Sequence, residues 1–166
     1  MRKLFVIVVV VAACAMLLET LIVAGDRQRS EAADERAIRA LIAEWVEAYT
    51  NSDAKRLAAH ETTSVEVVDC FGRLRLPSST SENEKLWFDT FEVISRKSPL
   101  PTVSIDHISF LRPEIAVVQV SWQFSEGILL ADGYRIPPFS QADTYVVTKA
   151  KDIWLVAAHN MQERKP

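Results

Sequence analysis

The succession of hydrophobic patterns along this chain predicts an α+β fold, with helices first and an antiparallel sheet after them. Three observations carry that prediction. Residues 31–50 place Ile38, Leu41, Ile42, Trp45, Ala48 and Tyr49 at helical spacing. From Val103 onward the pattern changes to β-branched and aromatic runs separated by turn residues. The last of these runs, Asp143 to Asn160, reads as two strands joined by a tight polar turn at Lys151-Asp152, ending on His159-Asn160. Helices followed by long hairpins give a sheet with helices on one face.

The N-terminus reads as a targeting segment. Met1-Arg2-Lys3 is a short basic start, Leu4 to Leu18 is an uncharged apolar run, and Leu21 to Gly25 follows the break at Glu19-Thr20. Three readings stand for residues 1–25. The first is a cleaved secretory signal, with small residues at Ala24-Gly25. The second is an uncleaved membrane anchor, since residues 4–25 are about long enough to span, although Glu19 is costly there. The third is a lipoprotein, since Val11-Ala-Ala-Cys14 matches a lipobox. All three predict an exported domain, periplasmic, secreted or anchored with the domain outside the cytoplasm. Residues 26–162 are then the folded domain and 163–166 a polar tail.

Each element of the domain has a local cause. Glu31, Asp34 and Glu35 suit the positive end of the helix over 31–50, and Asn51-Ser52 stops it. Asp53 is an N-cap for a short helix through His60 that buries Leu57. Val65–Asp69 and Leu74–Leu76 read as strands around the Phe71-Gly72 turn. Ser81-Glu-Asn-Glu84 is a capping box for a third helix with Trp87, Phe91 and Ile94 on one stripe. Arg96 and Lys97 suit its negative end, and Pro99 and Pro101 bar continuation. Val103–Leu111 and Ile115–Ser125 are strands flanking the Arg112-Pro113-Glu114 turn. A connection over 126–140 precedes the final strands, Tyr145–Lys149 and Ile153–Asn160, and the end from Met161 is expected to fray.

Composition excludes some functions. The chain has 166 residues and a net charge of −3, with no basic cluster, which argues against nucleic acid as a partner. If Cys14 leaves with a signal, Cys70 is the remaining thiol, and no disulfide or zinc pattern exists. His60, His107 and His159 have no local metal spacing, so no metal is expected. Phosphate-loop, nucleophile-elbow and dinucleotide motifs are absent, and no cofactor is expected.

The element order and four stretches resemble the NTF2-like superfamily, and within it the SnoaL-like group that includes the SgcJ/EcaC-type proteins. The stretches are Ala37–Asp53, Val68-Asp-Cys-Phe-Gly72, Ile108–Val118 and Ile153-Trp-Leu-Val-Ala-Ala-His-Asn160, within residues 31–162. The resemblance implies a cone: a curved antiparallel or mixed sheet wrapped around about three N-terminal helices, with a mostly apolar pocket inside. It implies a homodimer through the sheet. The group holds ketosteroid isomerases, polyketide cyclases and some dehydratases, and also binding and assembly domains.

The resemblance also names site residues. Asp69, before a glycine turn, looks like the catalytic aspartate of the isomerases, where a carboxylate in an apolar pocket takes a carbon-bound proton. Asp143 falls near their protonated, oxyanion-binding aspartic acid. The chain departs from the isomerases at the helix, where Trp45 replaces their tyrosine, with Tyr49 one turn later. His159 and Asn160 resemble the ending of SnoaL-like chains. Period-2 alternation turns one of the two inward, and an inward histidine is a base near neutral pH. Trp45, Trp87, Trp122, Phe88 and Tyr145 either line a pocket for a flat apolar ligand or fill the core.

The expected ligand-binding set is therefore Trp45, Tyr49, Trp87, Trp122, Tyr145 and Asn160. The expected function is binding of a small apolar molecule in the cone. Two alternatives stand beside it. One is a cofactor-independent isomerase or cyclase, with Asp69 or His159 removing a proton α to a carbonyl. The other is a non-catalytic assembly module. The membrane enters only through an uncleaved N-terminal segment.

Overall fold

A computed structural model of the chain describes residues 30–69 and 72–164. Residues 1–29, where a targeting segment is expected and which include Cys14, and Cys70 lie outside the described residues. The described residues up to Arg36 belong to one unit and are helical; those from Ala37 onward belong to a second, which carries everything below.

Helix α1 covers residues 30–50. Its apolar stripe buries Ile38, Leu41, Ile42, Trp45 and Ala48, as the 3.6-residue spacing requires. Ser52, at φ +54°, ends it, and the Asp53 N–H returns to the Ala48 carbonyl. Asp53 then caps α2 (Ala54–Ala59) by accepting from the Arg56 N–H. Strand β1 (Glu61–Val68) begins four residues before the expected Val65, because Glu61 is already turned inward and buried. β2 is Leu74–Arg75.

Helix α3 (Thr80–Glu92) starts two residues earlier than the capping box suggested. Ser79, in extended conformation, accepts from the Glu82 N–H, while the Glu82 carboxylate accepts from the Ser78 N–H and hydroxyl. The helix ends at Glu92 with no basic residue in its last turn. Arg96 and Lys97 therefore lie beyond it, and Ile94 pairs with Leu130 instead.

The sheet supplies the rest: β3 (Thr102–Arg112), β4 (Ile115–Phe124), β7 (Phe139–Ala150) and β8 (Ile153–Arg164), with a small hairpin of β5 (Ile128–Leu129) and β6 (Arg135–Ile136) between β4 and β7. The six-stranded order is β2-β1-β8-β7-β4-β3. β1 runs parallel to β8, and the other neighbours are antiparallel. Lys151 and Asp152 take φ of +50° and +64°, a mirror-image two-residue turn that follows the twist of the strands it joins. β8 does not fray at Met161; it stays paired to Arg164, which lies opposite Ser140. The sheet is mixed, curved and not closed, and the helices pack on its inner face. This is an α+β cone.

One irregularity decides what the cone contains. On β8, Trp154 and Val156 face inward, and plain alternation would next turn Ala158 and Asn160 inward. The register shifts between Val146↔Ala158 and Val147↔Val156, which leaves Ala157 as an extra residue. The phase changes there, so His159 is buried and Asn160 is exposed.

Candidate functional site

Two buried polar groups sit inside an aromatic interior. The first is built on neighbouring strands. Inward positions on β7 alternate as Gln141, Asp143, Tyr145 and Val147, and Tyr145 lies opposite His159 on β8. His159 Nε2 is 2.9 Å from Asp143 Oδ2, and both side chains are 1% exposed. Gln141 Nε2 donates to Asp143 Oδ1 at 2.6 Å. The Tyr145 hydroxyl lies 3.4 Å from Asp143 Oδ2, a long contact. The Tyr145 ring stacks on the imidazole, with centroids 4.2 Å apart and planes 12° apart. Burial, and then the Asp143 charge, pushes the phenol well above its ordinary range, so Tyr145 stays a donor.

The tautomer follows from the geometry. With its proton on Nε2 the imidazole donates to Asp143, and Nδ1 keeps a lone pair. Nδ1 is buried and has no hydrogen-bond partner. In that tautomer Nδ1 is the ring nitrogen with an open acceptor position.

The second group is Glu61. Its Oε1 accepts from Trp45 Nε1 at 3.0 Å. Its Oε2 accepts from Trp87 Nε1 at 2.8 Å and from Asn83 Nδ2 at 2.6 Å. Burial is the largest influence and raises the carboxyl pKa, against the three donors and the nearby His159, which lower it.

Trp45 joins the two groups. Its ring meets those of Tyr49, Trp87, Trp122, Tyr145 and His159 at centroid distances of 5.8, 5.5, 6.1, 5.5 and 5.3 Å. Asn83 Oδ1 and Trp122 Nε1 are buried without partners in the same interior. A buried polar group left unpaired costs about 1–3 kcal/mol, so such atoms mark candidate contact points for a ligand.

The open space lies at the mouth of this interior. A cavity of about 220 Å³ is lined by apolar residues, among them Tyr49, Phe91, Ile94, Leu100, Phe124 and Ile128, and by the polar residues Thr50, Asn51, Ser52, Ser95, Arg96 and Ser98. A neighbouring cavity of about 300 Å³ shares Ser52, Phe91, Ile94 and Ser95. Tyr49 separates the first cavity from the buried groups: it stacks along Trp45 and meets Trp122 edge-on at 5.3 Å.

The structure brings Asp143, His159, Tyr145, Trp45, Tyr49, Trp87 and Trp122 together. Of these, Tyr49 lines a cavity; the others fill the core behind it. Asp69 stands apart. It sits just past β1, where Oδ2 is 2.8 Å from Arg73 Nε and 3.7 Å from Arg75 Nη2, and Oδ1 accepts from the Arg73 N–H. It organises a surface turn, not an apolar pocket. Asn160 is on the outer face, opposite Thr144. Phe88 is exposed.

Glu61, Asn83 and Gln141 escaped the sequence reading. Asn83 carries a usable signal, since it falls one turn before Trp87 on the buried stripe of α3. Glu61 precedes a polar Thr-Thr-Ser run that hides its strand. Among the described residues, no group of His, Cys, Asp and Glu is arranged to hold a metal, and no helix is long and apolar enough to cross a membrane.

Comparison with solved structures identifies the architecture. A ketosteroid isomerase-like protein from Erwinia carotovora atroseptica SCRI1043 superposes with a TM-score of 0.65 at 15% identity, covering 79% of this chain and 96% of that one. A protein provisionally named scytalone dehydratase, from Novosphingobium aromaticivorans DSM 12444, gives 0.67 at 14% identity, covering 83% and 89%. An NTF-2 like protein of unknown function from Shewanella oneidensis MR-1 gives 0.60 at 16%, covering 78% and 98%. No protein-family model matches the chain, and no curated protein matches it in sequence.

Proposed function

We propose that this chain, which has the NTF2-like fold, binds a small and largely apolar molecule at the mouth of its cone. The observation that carries the reading is the cavity whose lining includes Tyr49, Phe91, Phe124 and Ile128. Apolar walls with a few hydroxyls at one side are the usual composition of a small-molecule site. The test is titration of the purified protein with 1-naphthol, followed by tryptophan fluorescence, since Tyr49 touches Trp45, Trp87 and Trp122. Saturable quenching is expected. A linear, unsaturable response, with a ligand-free protein in native mass spectrometry, overturns the reading. Export and a homodimer belong to the same proposal, and the same mass spectrum checks N-terminal processing and subunit number.

A second reading is favoured by the unpartnered Nδ1 of His159. In it a ligand reaches past Tyr49, and His159 removes a proton α to a carbonyl. The enolate oxygen accepts from Trp122 Nε1, and the imidazolium returns the proton further along the conjugated system. No oxidant or cofactor is needed for that step. Conversion of androst-5-ene-3,17-dione to its conjugated isomer, read by ultraviolet absorbance, tests it. No acceleration over buffer at saturating protein removes this reading and leaves the first standing.

A further inference from the structure

Arg96 is a charge without a structural use. The helix before it ends at Glu92, so Arg96 lies beyond the last turn. Among the described residues it meets no carboxylate in an ion pair, in contrast to Arg56, Arg73, Arg75 and Arg164. Yet among the described residues it is the one charged residue lining the first mouth cavity, and it also lines the second, where Glu92 is the other charge.

The segment that carries it is fixed in place. Ile94 bridges to Leu130, the Ser95 N–H donates to the Leu129 carbonyl, and the Ala131 N–H donates to the Val93 carbonyl. Ser98 closes a turn back on Ser95 and accepts the Leu129 N–H through its hydroxyl. The turn holding Arg96 is thus strapped to the β5–β6 hairpin at the rim of the cavity. A guanidinium on a fixed turn loses less freedom when it binds than one on a loose loop.

We infer that the ligand of this cavity is an amphipathic monocarboxylate, its apolar body on Tyr49, Phe91 and Phe124 and its carboxylate on Arg96. Ser52 and Ser95 line the same cavity, and their hydroxyls suit the remaining acceptor positions. One cation fits a singly charged group; a phosphate would call for a second, and Lys97 is not among the lining residues. This inference rests on the binding reading above and adds the ligand's charge to it.

The experiment compares 1-naphthoic acid with 1-naphthol, which differ in charge but hardly in body. Both are titrated into the whole protein at pH 7 and low salt, and into Arg96→Gln, by tryptophan fluorescence. The expected result is naphthoate binding about five- to tenfold tighter than naphthol in the parent protein. That ratio falls to about one in Arg96→Gln and shrinks as salt is raised. Arg96 is exposed, so the variant folds as the parent does. Equal affinities in the parent protein, or a preference that survives Arg96→Gln, overturn the monocarboxylate inference while leaving the cavity as a binding site. Failure of both probes to bind overturns the binding reading and this inference with it.

Discussion

Replacing Glu61 by glutamine tests the buried carboxylate directly. Glutamine keeps the shape but offers one acceptor oxygen and one NH2 group. Glu61 receives three donors, one on Oε1 and two on Oε2. With the amide oxygen at the Oε2 position, Trp87 and Asn83 stay bonded and the NH2 faces the Trp45 N–H. With the amide reversed, Asn83 can flip to present its unpartnered Oδ1, and the Trp87 N–H is the one opposed. Either way at least one buried indole N–H loses its acceptor, a cost of about 1–3 kcal/mol. For a domain of this size that lowers the melting temperature by roughly 3–12 °C.

The pH dependence sharpens the test. Burial raises the Glu61 pKa in the folded state, so the folded protein binds the proton more readily than the unfolded chain. Between the unfolded and folded pKa values, stability therefore falls as pH rises. The parent protein gains from this group as pH is lowered into that window, and the glutamine variant does not. The deficit of Glu61→Gln should thus be larger at pH 5 than at pH 8. Urea unfolding of both proteins at the two pH values measures it, with shared contributions from other carboxylates cancelling in the difference. A variant as stable as its parent at both values, or a deficit that grows with alkali, refutes the reasoning.

Other consequences follow from the same geometry. Asp143→Asn removes the charge that supports an imidazolium at His159. Isomerisation of the steroid probe should drop about 10²–10⁴-fold, while naphthol affinity changes little; equal loss of both would place Asp143 in binding instead. A Cβ at Gly127 would stand 1.9 Å from the Ile136 carbonyl oxygen, whereas one at Gly133 meets nothing within 4 Å. Both have positive φ, so Gly133→Ala should cost about 1–2 kcal/mol and Gly127→Ala clearly more, as thermal melts would show. Lys151-Asp152 pays backbone strain at two left-handed positions. Changing the pair to Asn-Gly should raise stability by about 1 kcal/mol in denaturant titration, and an unchanged midpoint would count against the turn assignment.

Much of the architecture was legible in the amino-acid order, and the reasons are local. The stripe from Ile38 to Tyr49 and the alternation around Val118 and Val147 are imposed by burial on one face, so they survive into the sequence. The turn at Lys151-Asp152 was visible as a polar pair between β-branched runs. The site was less legible, because facing depends on register. Ala157 adds one residue to β8 and thereby exchanges His159 with Asn160, and nothing in Val-Ala-Ala-His-Asn announces a bulge. Asp69 looked like a pocket carboxylate because it precedes a glycine turn at a strand end, as the catalytic aspartate of the isomerases does. The arginines that hold it, Arg73 and Arg75, come from across the turn. Glu61 went unread for the converse reason: its partners Trp45, Asn83 and Trp87 belong to two different helices, and no spacing rule links them.

The parallel pairing of β1 with β8 sets the order in which this molecule can be made. The strand that follows the first two helices finds its central neighbour only in the last strand of the chain. Bringing such distant segments together costs loop-closure entropy before any contact returns it. Glu61 leaves the ribosome well before His159. Until β8 is present, β1 has only the two-residue β2 beside it, and the aromatic interior stands open along one side. The polar centre therefore cannot be completed before β8 has joined the sheet. A chain ending at Ala150 should retain helical signal in circular dichroism but lack cooperative unfolding, and a cooperative melt from that fragment would show that the last strand is dispensable.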